Sequence, residues 1–332
     1  MNADDARWMG AALALAERGR AQSWPNPNVG CVVVADGRVV GRGWTQPGGR
    51  PHAEAMALAQ AGEKSRGATL FATLEPCAHV SARGPACAHI IAEAGIARVV
   101  IASGDPDLRT NGAGIERLSA SLSKGGPTEN RSINVTTGTC ESQAQRTMAG
   151  FLTRTRLGRP HVTLKLALSI DGAVAMASGA SRWITGDAAR THGHLMRARS
   201  DAILVGRGTL DADAPRLDVR IPGLESRSPR RIVLSTQADV PAGWTRLASP
   251  NDIGSLDANW LLIEGGMGAA AAFLSRDLVD TLLVYRAPIV IGGGRTLGDI
   301  GLTDLSDAHG RWTPTDSRRL GSDRLDVYER VR

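Results

Sequence analysis

Short β-branched runs alternate with helix-patterned segments along this chain, and that alternation restricts it to layered folds in which helices cover a sheet. Within residues 6–18, Met9, Ala12, Leu13 and Leu15 fall on one face of an amphipathic helix. Val29–Val34 reads as a buried strand, Asp36-Gly37 as a hairpin turn and Val39–Gly43 as the returning strand. A helix over His52–Ala61, a strand over Thr69–Thr73, a helix over Cys87–Ala94 and a strand over Arg98–Ala102 continue the series. Ser119–Thr139 is rich in Ser, Gly, Thr and Asn, loses its apolar periodicity and reads as loop or a weak edge strand.

The pattern restarts at Pro160. His161–Leu168, Ile203–Val205, Arg231–Ser235 and Trp260–Ile263 read as strands, with helical patterns over Ala188–Arg199 and Gly268–Leu278. Thr281–Tyr285 and Pro288–Ile291 read as late strands. No internal repeat is visible, so the spacing predicts two different α/β domains, 1–148 and 149–332, with the break within 148–160. Each half is long enough to bury its own core, and 42% hydrophobic with 22% charged residues excludes collagen-like and disordered chains. No apolar run approaches the ~18 residues of a membrane span. The start, Met1-Asn2-Ala3-Asp4-Asp5, is acidic where a signal peptide is basic, so a cytoplasmic protein is expected. The net charge of +6 comes with only three lysines (Lys64, Lys124 and Lys165) and no Lys/Arg run of the kind that marks a nucleic-acid tail. It suits phosphorylated small molecules.

Cys31, Cys77, Cys87 and Cys140 are too few for a disulfide scaffold, and in a reducing compartment metal is their commoner shared use. His52-Ala53-Glu54 opens a helix, and Pro76-Cys77 is followed by Cys87. H-x-E, then P-C and a second Cys, is the His/Cys/Cys ligand pattern of zinc base deaminases. His52, Cys77 and Cys87 would hold one Zn²⁺ per chain and leave the fourth tetrahedral position to water, as catalytic sites do. Two thiolates cancel the formal charge of the ion, so its water needs a base. Glu54 can take that proton and return it to the ring nitrogen and the departing amine. His89, two residues past Cys87 on a helix, faces elsewhere, whereas His79 lines the pocket or is exposed. A structural zinc site is an alternative, but it leaves Glu54 unexplained and lacks a fourth ligand. A nucleic-acid base deaminase with an RNA-binding half is another, although the seven Trp, two Tyr and three Phe do not cluster with basic residues.

The stretch TLEPCAHVSARGPACAHII (Thr73–Ile91) resembles the deaminase domain of the bifunctional riboflavin-biosynthesis enzymes, as do PNPNVGCVVV (Pro25–Val34), PHAE (Pro51–Glu54) and GDPD (Gly104–Asp107). The loop into Cys87, Arg83-Gly84-Pro85-Ala86, is one residue longer than is usual in that family. By the resemblance Asn26 would hydrogen-bond the pyrimidine; without it, Asn26 is a turn residue between two prolines.

LKLALSIDGAVAMASGASRWIT (Leu164–Thr185), LMRARSDAILVGRGTLDADAPRLDVR (Leu195–Arg220) and LLIEGGMGAAAAF (Leu261–Phe273) resemble the reductase domain of the same enzymes. The implied architecture is a cytidine-deaminase-like three-layer domain followed by a dihydrofolate-reductase-like domain. The implied activities are hydrolytic deamination of a phosphoribosylaminopyrimidine and NADPH reduction of its ribosyl group, in a homodimer. The resemblance places NADPH at Ala167, Trp183, Thr209, Asp213, Thr236, Gly266, Met267, Gly268, Ala269, Ala270, Ala271 and Ala272. It places the substrate at Ser181, Arg197, Leu217, Arg220 and Glu264. Guanidinium forks at Arg197 and Arg220 suit a terminal phosphate, and Glu264 suits sugar hydroxyls. The family usually has Asp-Ser where this chain has Ser235-Thr236. Glu264-Gly265-Gly266-Met267-Gly268 is not a G-x-G-x-x-G fingerprint, but its small residues let backbone amides approach a pyrophosphate at a helix start. Gly292-Gly293-Gly294 reads as a structural turn. Lys165, a strand lysine in a chain that otherwise uses arginine, marks a point charge that a fork could not replace and is taken as catalytic.

Overall fold

A computed structural model describes residues 3–120 and 133–332. It divides into two compact units, Met1–Gly158 and Arg159–Arg332. The first unit carries α1 (Ala3–Gly19), β1 (Gly30–Ala35), β2 (Arg38–Trp44), α2 (Ala53–Ala61), β3 (Thr69–Leu74), α3 (Cys87–Glu93) and β4 (Arg98–Ser103). It ends with α4 (Ala113–Ala120), β5 (Asn134–Thr137), α5 (Glu141–Thr147) and α6 (Ala149–Leu157). Part of the stretch read as loop or edge strand, residues 121–132, lies outside the described residues; β5 forms the edge from the remainder. The helix α6 joins this unit because Leu152 packs into its core, which carries the division past residue 148.

The five strands lie in the order β2-β1-β3-β4-β5, with β1 antiparallel to both neighbours and β3, β4 and β5 parallel. Glycines set how the helices lie on this sheet. A Cβ on Gly41 would come within 2.1 Å of the Ala57 carbonyl oxygen, and one on Gly43 within 2.2 Å of that of Ala53. On Gly30 it would meet the Ala12 carbonyl at 1.9 Å. Gly30 pairs with Trp44, one residue beyond Gly43, so α1 and α2 cover opposite faces. The result is a three-layer α/β/α unit in which the backbone of α2 rests directly on β2.

The second unit carries β6 (His161–Leu168), α7 (Asp187–Ala198), β7 (Ala202–Gly206), α8 (Arg207–Asp213), β8 (Arg230–Leu234), β9 (Trp244–Leu247) and β10 (Trp260–Glu264). It continues with α9 (Met267–Leu274), β11 (Thr281–Arg286), β12 (Trp312–Leu320) and β13 (Asp323–Arg330). Eight strands run in the order β12-β13-β11-β6-β10-β7-β8-β9. They are parallel from β11 to β9, with the β12–β13 hairpin antiparallel at one side. Val162, Leu164 and Ile263 pack with α9 through Ala269, Ala270 and Phe273. The opposite face carries Lys165, Glu264 and Tyr285 toward α7.

Two sequence expectations change here. Pro288–Ile291 is not a strand: Val290 is 72% exposed, and the Asp171 carboxylate accepts the N–H groups of Ile291 and Gly292 at 3.2 and 2.8 Å. The helix expected to reach Leu278 ends at Leu274, before Asp277 turns the chain left-handed at φ 53°.

Candidate active sites

In the first unit, two loop-to-helix junctions and the end of a strand converge. His52 is the extended N-cap residue of α2, and its side chain makes no cap hydrogen bond, which leaves the ring free to turn inward. Cys87 opens α3, and Cys77 follows β3 through Glu75-Pro76. The Nδ1 of His52 lies 3.2 Å from the Cys87 Sγ and 3.7 Å from the Cys77 Sγ, and the three donor atoms fall within 4.8 Å of one another. The Cys87 N–H donates to the Cys77 Sγ at 3.2 Å. Glu75 fixes the approach, since its carboxylate accepts N–H groups from Asp105, Gly112, Gly114 and Ile115 at 2.9–3.3 Å. Sequence reasoning passed over Glu75, two residues before Cys77, because the N–H groups it binds lie 30 to 40 positions away and leave no trace in spacing.

These donors fit zinc. Tetrahedral bonds of about 2.3 Å to sulfur and about 2.0 Å to nitrogen separate the donors by roughly 3.5 Å, as found between His52 and each cysteine. Hydrogen bonding from Cys87 holds the Cys77 thiol far below its ordinary range, and the same bond, with burial, pushes Cys87 up. Glu54, only 3% exposed in the first turn of α2, is raised by burial; the charge of His52 opposes this and that of Cys77 adds to it. The Asn26 amide lies 2.9 Å from the His52 Nε2 and donates to the Gly49 carbonyl at 2.9 Å. Here it supports the histidine from behind. His89 pairs with Glu93 at 3.2 Å on the exposed side of α3, and the His79 Nδ1 lies 3.5 Å from the Thr110 Oγ1. Burial lifts Asp105 of the GDPD segment to about 6; the Asp107 N–H opposes this, and the charges of Asp107, Glu75 and Cys77 add to it.

In the second unit, Lys165 and Glu264 are register partners on β6 and β10. Arg197, from the last turn of α7, meets Glu264 with its fork: Nε to Oε1 is 2.9 Å and Nη2 to Oε2 is 2.8 Å. Its Nη1 donates to the Asp218 carbonyl at 3.0 Å. The two residues expected to hold different parts of a substrate therefore hold each other, whereas Arg220 is more than half exposed and lies beside Asp218 at 3.4 Å. Burial pushes Glu264 up, but Lys165 and the Arg197 bonds outweigh it and keep the carboxyl below its usual range.

The residues expected to meet the cofactor divide by exposure. Gly265 and Gly266 sit at φ 78° and 76°, a region only glycine enters at little cost. A Cβ on Gly266 would strike the Thr209 Oγ1 at 2.7 Å, whereas one on Gly268 would meet nothing within 4 Å. This is an open cradle at the start of α9. Ala269 and Ala270 turn into the core instead, and among residues 266–272 only Gly266, Met267, Gly268, Ala271 and Ala272 keep accessible surface. Leu217 is likewise buried, at φ 54°, so it can offer backbone but not side chain. Trp183 is 67% exposed with the Arg190 guanidinium 4.8 Å over its ring, and Asp213 pairs with Arg182 at 3.4 Å. Ala167 is part-buried on β6, while Ser181 and Thr236 are exposed on loops. Sequence reasoning missed Tyr285 and His192, which stand behind Lys165.

Residues 2–103 match the family model of the cytidine and deoxycytidylate deaminase zinc-binding region. Residues 160–249 and 251–325 match that of the RibD C-terminal domain. The chain is 39% identical to the riboflavin biosynthesis protein RibD of Escherichia coli, over 92% of this chain and 94% of that one. It is 34% identical to the protein of that name from Aquifex aeolicus, over 92% of each. Among solved structures, Acinetobacter baumannii RibD is similar at a TM-score of 0.87 and 33% identity, covering 99% of both chains. A Thermotoga maritima diaminohydroxyphosphoribosylaminopyrimidine deaminase/5-amino-6-(5-phosphoribosylamino)uracil reductase is similar at 0.86 and 30%, again over 99% of both.

Proposed function

This chain belongs to the RibD family of bifunctional deaminase/reductase enzymes of riboflavin biosynthesis, and from that membership we propose how its own residues divide the two reactions. Residues up to the 148–158 segment deaminate 2,5-diamino-6-(5-phosphoribosylamino)pyrimidin-4-one, and the remainder reduces the ribosyl group of the uracil product. The observation that carries the first assignment is Glu54, a buried carboxyl one helical turn from three convergent metal donors. His52, Cys77 and Cys87 would hold the zinc, which would supply positive charge and an acidified water. With that water in place, Glu54 would carry two protons in turn: one from the water to the ring nitrogen, and a second from the newly added hydroxyl to the leaving amine. Asn26 keeps the His52 ring in place, so that its Nδ1 faces the two sulfurs.

In the second unit, bound NADPH would supply hydride for reduction of the open-chain ribosyl C1′ to the ribityl carbon. The chain's own part is placement. The Gly265-Gly266 cradle admits the pyrophosphate at the start of α9, Arg220 meets the substrate phosphate, and Arg197 fixes the carboxylate of Glu264 toward the sugar hydroxyls. Lys165 brings a cation beside Glu264. Membrane association has no support among the described residues, where no helix is long and apolar enough to cross a bilayer. On this reading the enzyme works in the cytoplasm as a homodimer, on phosphorylated small molecules and without nucleic acid.

The test supplies the purified protein with the diamino substrate and NADPH while ammonia release and NADPH oxidation are followed together. Both should proceed, with ammonia leading. Ammonia release with no NADPH oxidation, or oxidation with no prior ammonia, would overturn the division.

A further inference from the structure

Lys165 does not sit alone beside Glu264. Its Nζ lies 5.4 Å from the centroid of the Tyr285 ring, within the range of a cation–π contact. Tyr285 is fully buried on β11, where its register partner on β6 is Ala167, two residues beyond Lys165 on the same face. Its phenol is pushed up by burial, stays protonated, and lies 2.7 Å from the Nδ1 of His192 on α7. Burial, together with Arg318 and Arg199, holds His192 below its ordinary range, so a neutral ring receives the phenol. Gly193, the next residue of α7, lies over the lysine stem: a Cβ there would come within 3.4 Å of the Lys165 Cε. A glycine inside a helix is unfavourable unless the space above it is needed. Here the lysine stem occupies it.

We propose that Tyr285 is a positioning residue for the reductase reaction: its ring, anchored through His192 and backed by the gap at Gly193, holds the Lys165 ammonium at the level of Glu264. The phenol oxygen points to His192, so it is the ring face, and not the hydroxyl, that acts on the lysine. With Arg197 spent on Glu264, the ammonium is the cation of this cluster that carries no ion pair of its own among the described contacts. An unsupported lysine on a four-carbon stem would sample many rotamers. Three walls remove that freedom before substrate arrives: the Glu264 charge, the aromatic face and the helix backbone. The inference rests on the reductase reading above.

The chain has three lysines, which makes a direct measurement practical. Lysine-selective ¹³C labelling of the full-length enzyme gives a small set of ε-methylene signals, with that of Lys165 assigned by its loss in Lys165→Arg. Ring-current shielding should move the Lys165 signal upfield in the wild type, keep part of that shift in Tyr285→Phe, which loses only the anchor to His192, and return it to the ordinary position in Tyr285→Leu. With the deaminated uracil substrate, kcat for NADPH oxidation should fall roughly tenfold or more in Tyr285→Leu. In the same variant KM for NADPH should stay within about twofold, and Tyr285→Phe should keep kcat within about threefold. If Tyr285→Leu does not fold, His192→Ala serves. It keeps the ring and removes its anchor, as Tyr285→Phe does, and should likewise lose part of the shielding and about threefold in kcat. An unshielded Lys165 in the wild type would overturn the inference, as would full kcat in a folded variant that has lost the shielding. A Tyr285→Phe as impaired as Tyr285→Leu would also overturn it, by moving the effect to the hydroxyl. A wild type with shielded Lys165 and no NADPH oxidation would instead overturn the reductase reading while leaving the geometry standing.

Discussion

The two sites handle buried charge in opposite ways. The first gathers groups of one sign: two thiols and a carboxyl crowd around a single imidazole, and both Glu54 and Cys87 resist ionisation there. Such a cluster is incomplete without a cation from outside. In the second, Glu264 already has Arg197 and Lys165 against it, and its carboxyl is held ionised. That site is electrostatically finished within the protein, with a surplus of positive charge for an anionic substrate. A cation-binding site can therefore be switched by its ligand, whereas a self-paired one is preorganised but fails when any member is removed.

The largest separation between them should come from metal removal. A chelator strong enough to strip zinc should abolish ammonia release while NADPH oxidation on the uracil substrate stays within about twofold. In the same assay Glu54→Gln should keep its zinc and lose roughly 10²–10⁴-fold in deamination; ammonia release at the wild-type rate would remove Glu54 from the mechanism.

Next in size, Arg197→Ala removes both guanidinium hydrogen bonds from the buried Glu264 carboxylate and leaves only the Lys165 charge against it. The expected cost is about 3–5 kcal/mol of stability in the second unit, read by denaturant unfolding, with at least a thirtyfold loss of reductase efficiency (roughly 2 kcal/mol) and little change in ammonia release. Equal loss of both activities in a folded protein would mean that the sites are coupled. For the first site, Asn26→Ala should weaken zinc by about 10–100-fold in chelator competition, because the His52 ring loses its rear contact. Unchanged zinc affinity would return Asn26 to the substrate side.

The smallest expected effect concerns pH. Asp280 is raised by burial, but Arg159, His161 and the Val162 N–H together bring it below its ordinary value. A carboxyl whose folded pKa is depressed gives stability that is fully present above the unfolded value near 3.8 and is lost as pH falls through the folded one. Melting of the second unit should thus be flat above about pH 5 and fall below about pH 4. Asp280→Asn should flatten that acid limb; an unchanged limb would point to other carboxylates.

Much of this was legible in the sequence because periodicity and ligand spacing are local. The strands that pack on both faces, such as β1, β3 and β7, announce themselves by continuous apolar runs. The β12–β13 hairpin did not, since β12 is exposed along nearly its whole length and carries Pro314, Asp316, Arg318 and Arg319, which leaves no alternation to read. Ile289 and Val290 misled in the other direction: they are β-branched yet exposed, and the chain just beyond them is tied down at Ile291 by the Asp171 carboxylate, 120 positions away. The zinc donors were readable because the motif residues are themselves the site. The Arg197–Glu264 pair spans 67 positions, and residue type alone marks each as a substrate contact without revealing that they satisfy one another. Tyr285 and His192 were silent for the same reason, their roles being set by what the fold brings across the sheet.

The seam between α2 and β2 has a consequence for inheritance of the metal centre. With the Ala53 and Ala57 carbonyls resting on Gly43 and Gly41, a single added methyl group on the strand would lift the helix that carries His52 and Glu54. Damaging variants of the deaminase should therefore collect at two glycines that touch neither metal nor substrate. A survey of tolerated substitutions would find these strand positions nearly as invariant as the ligands, and the loss at each would read as failed metal loading in a chain whose ligands are all intact.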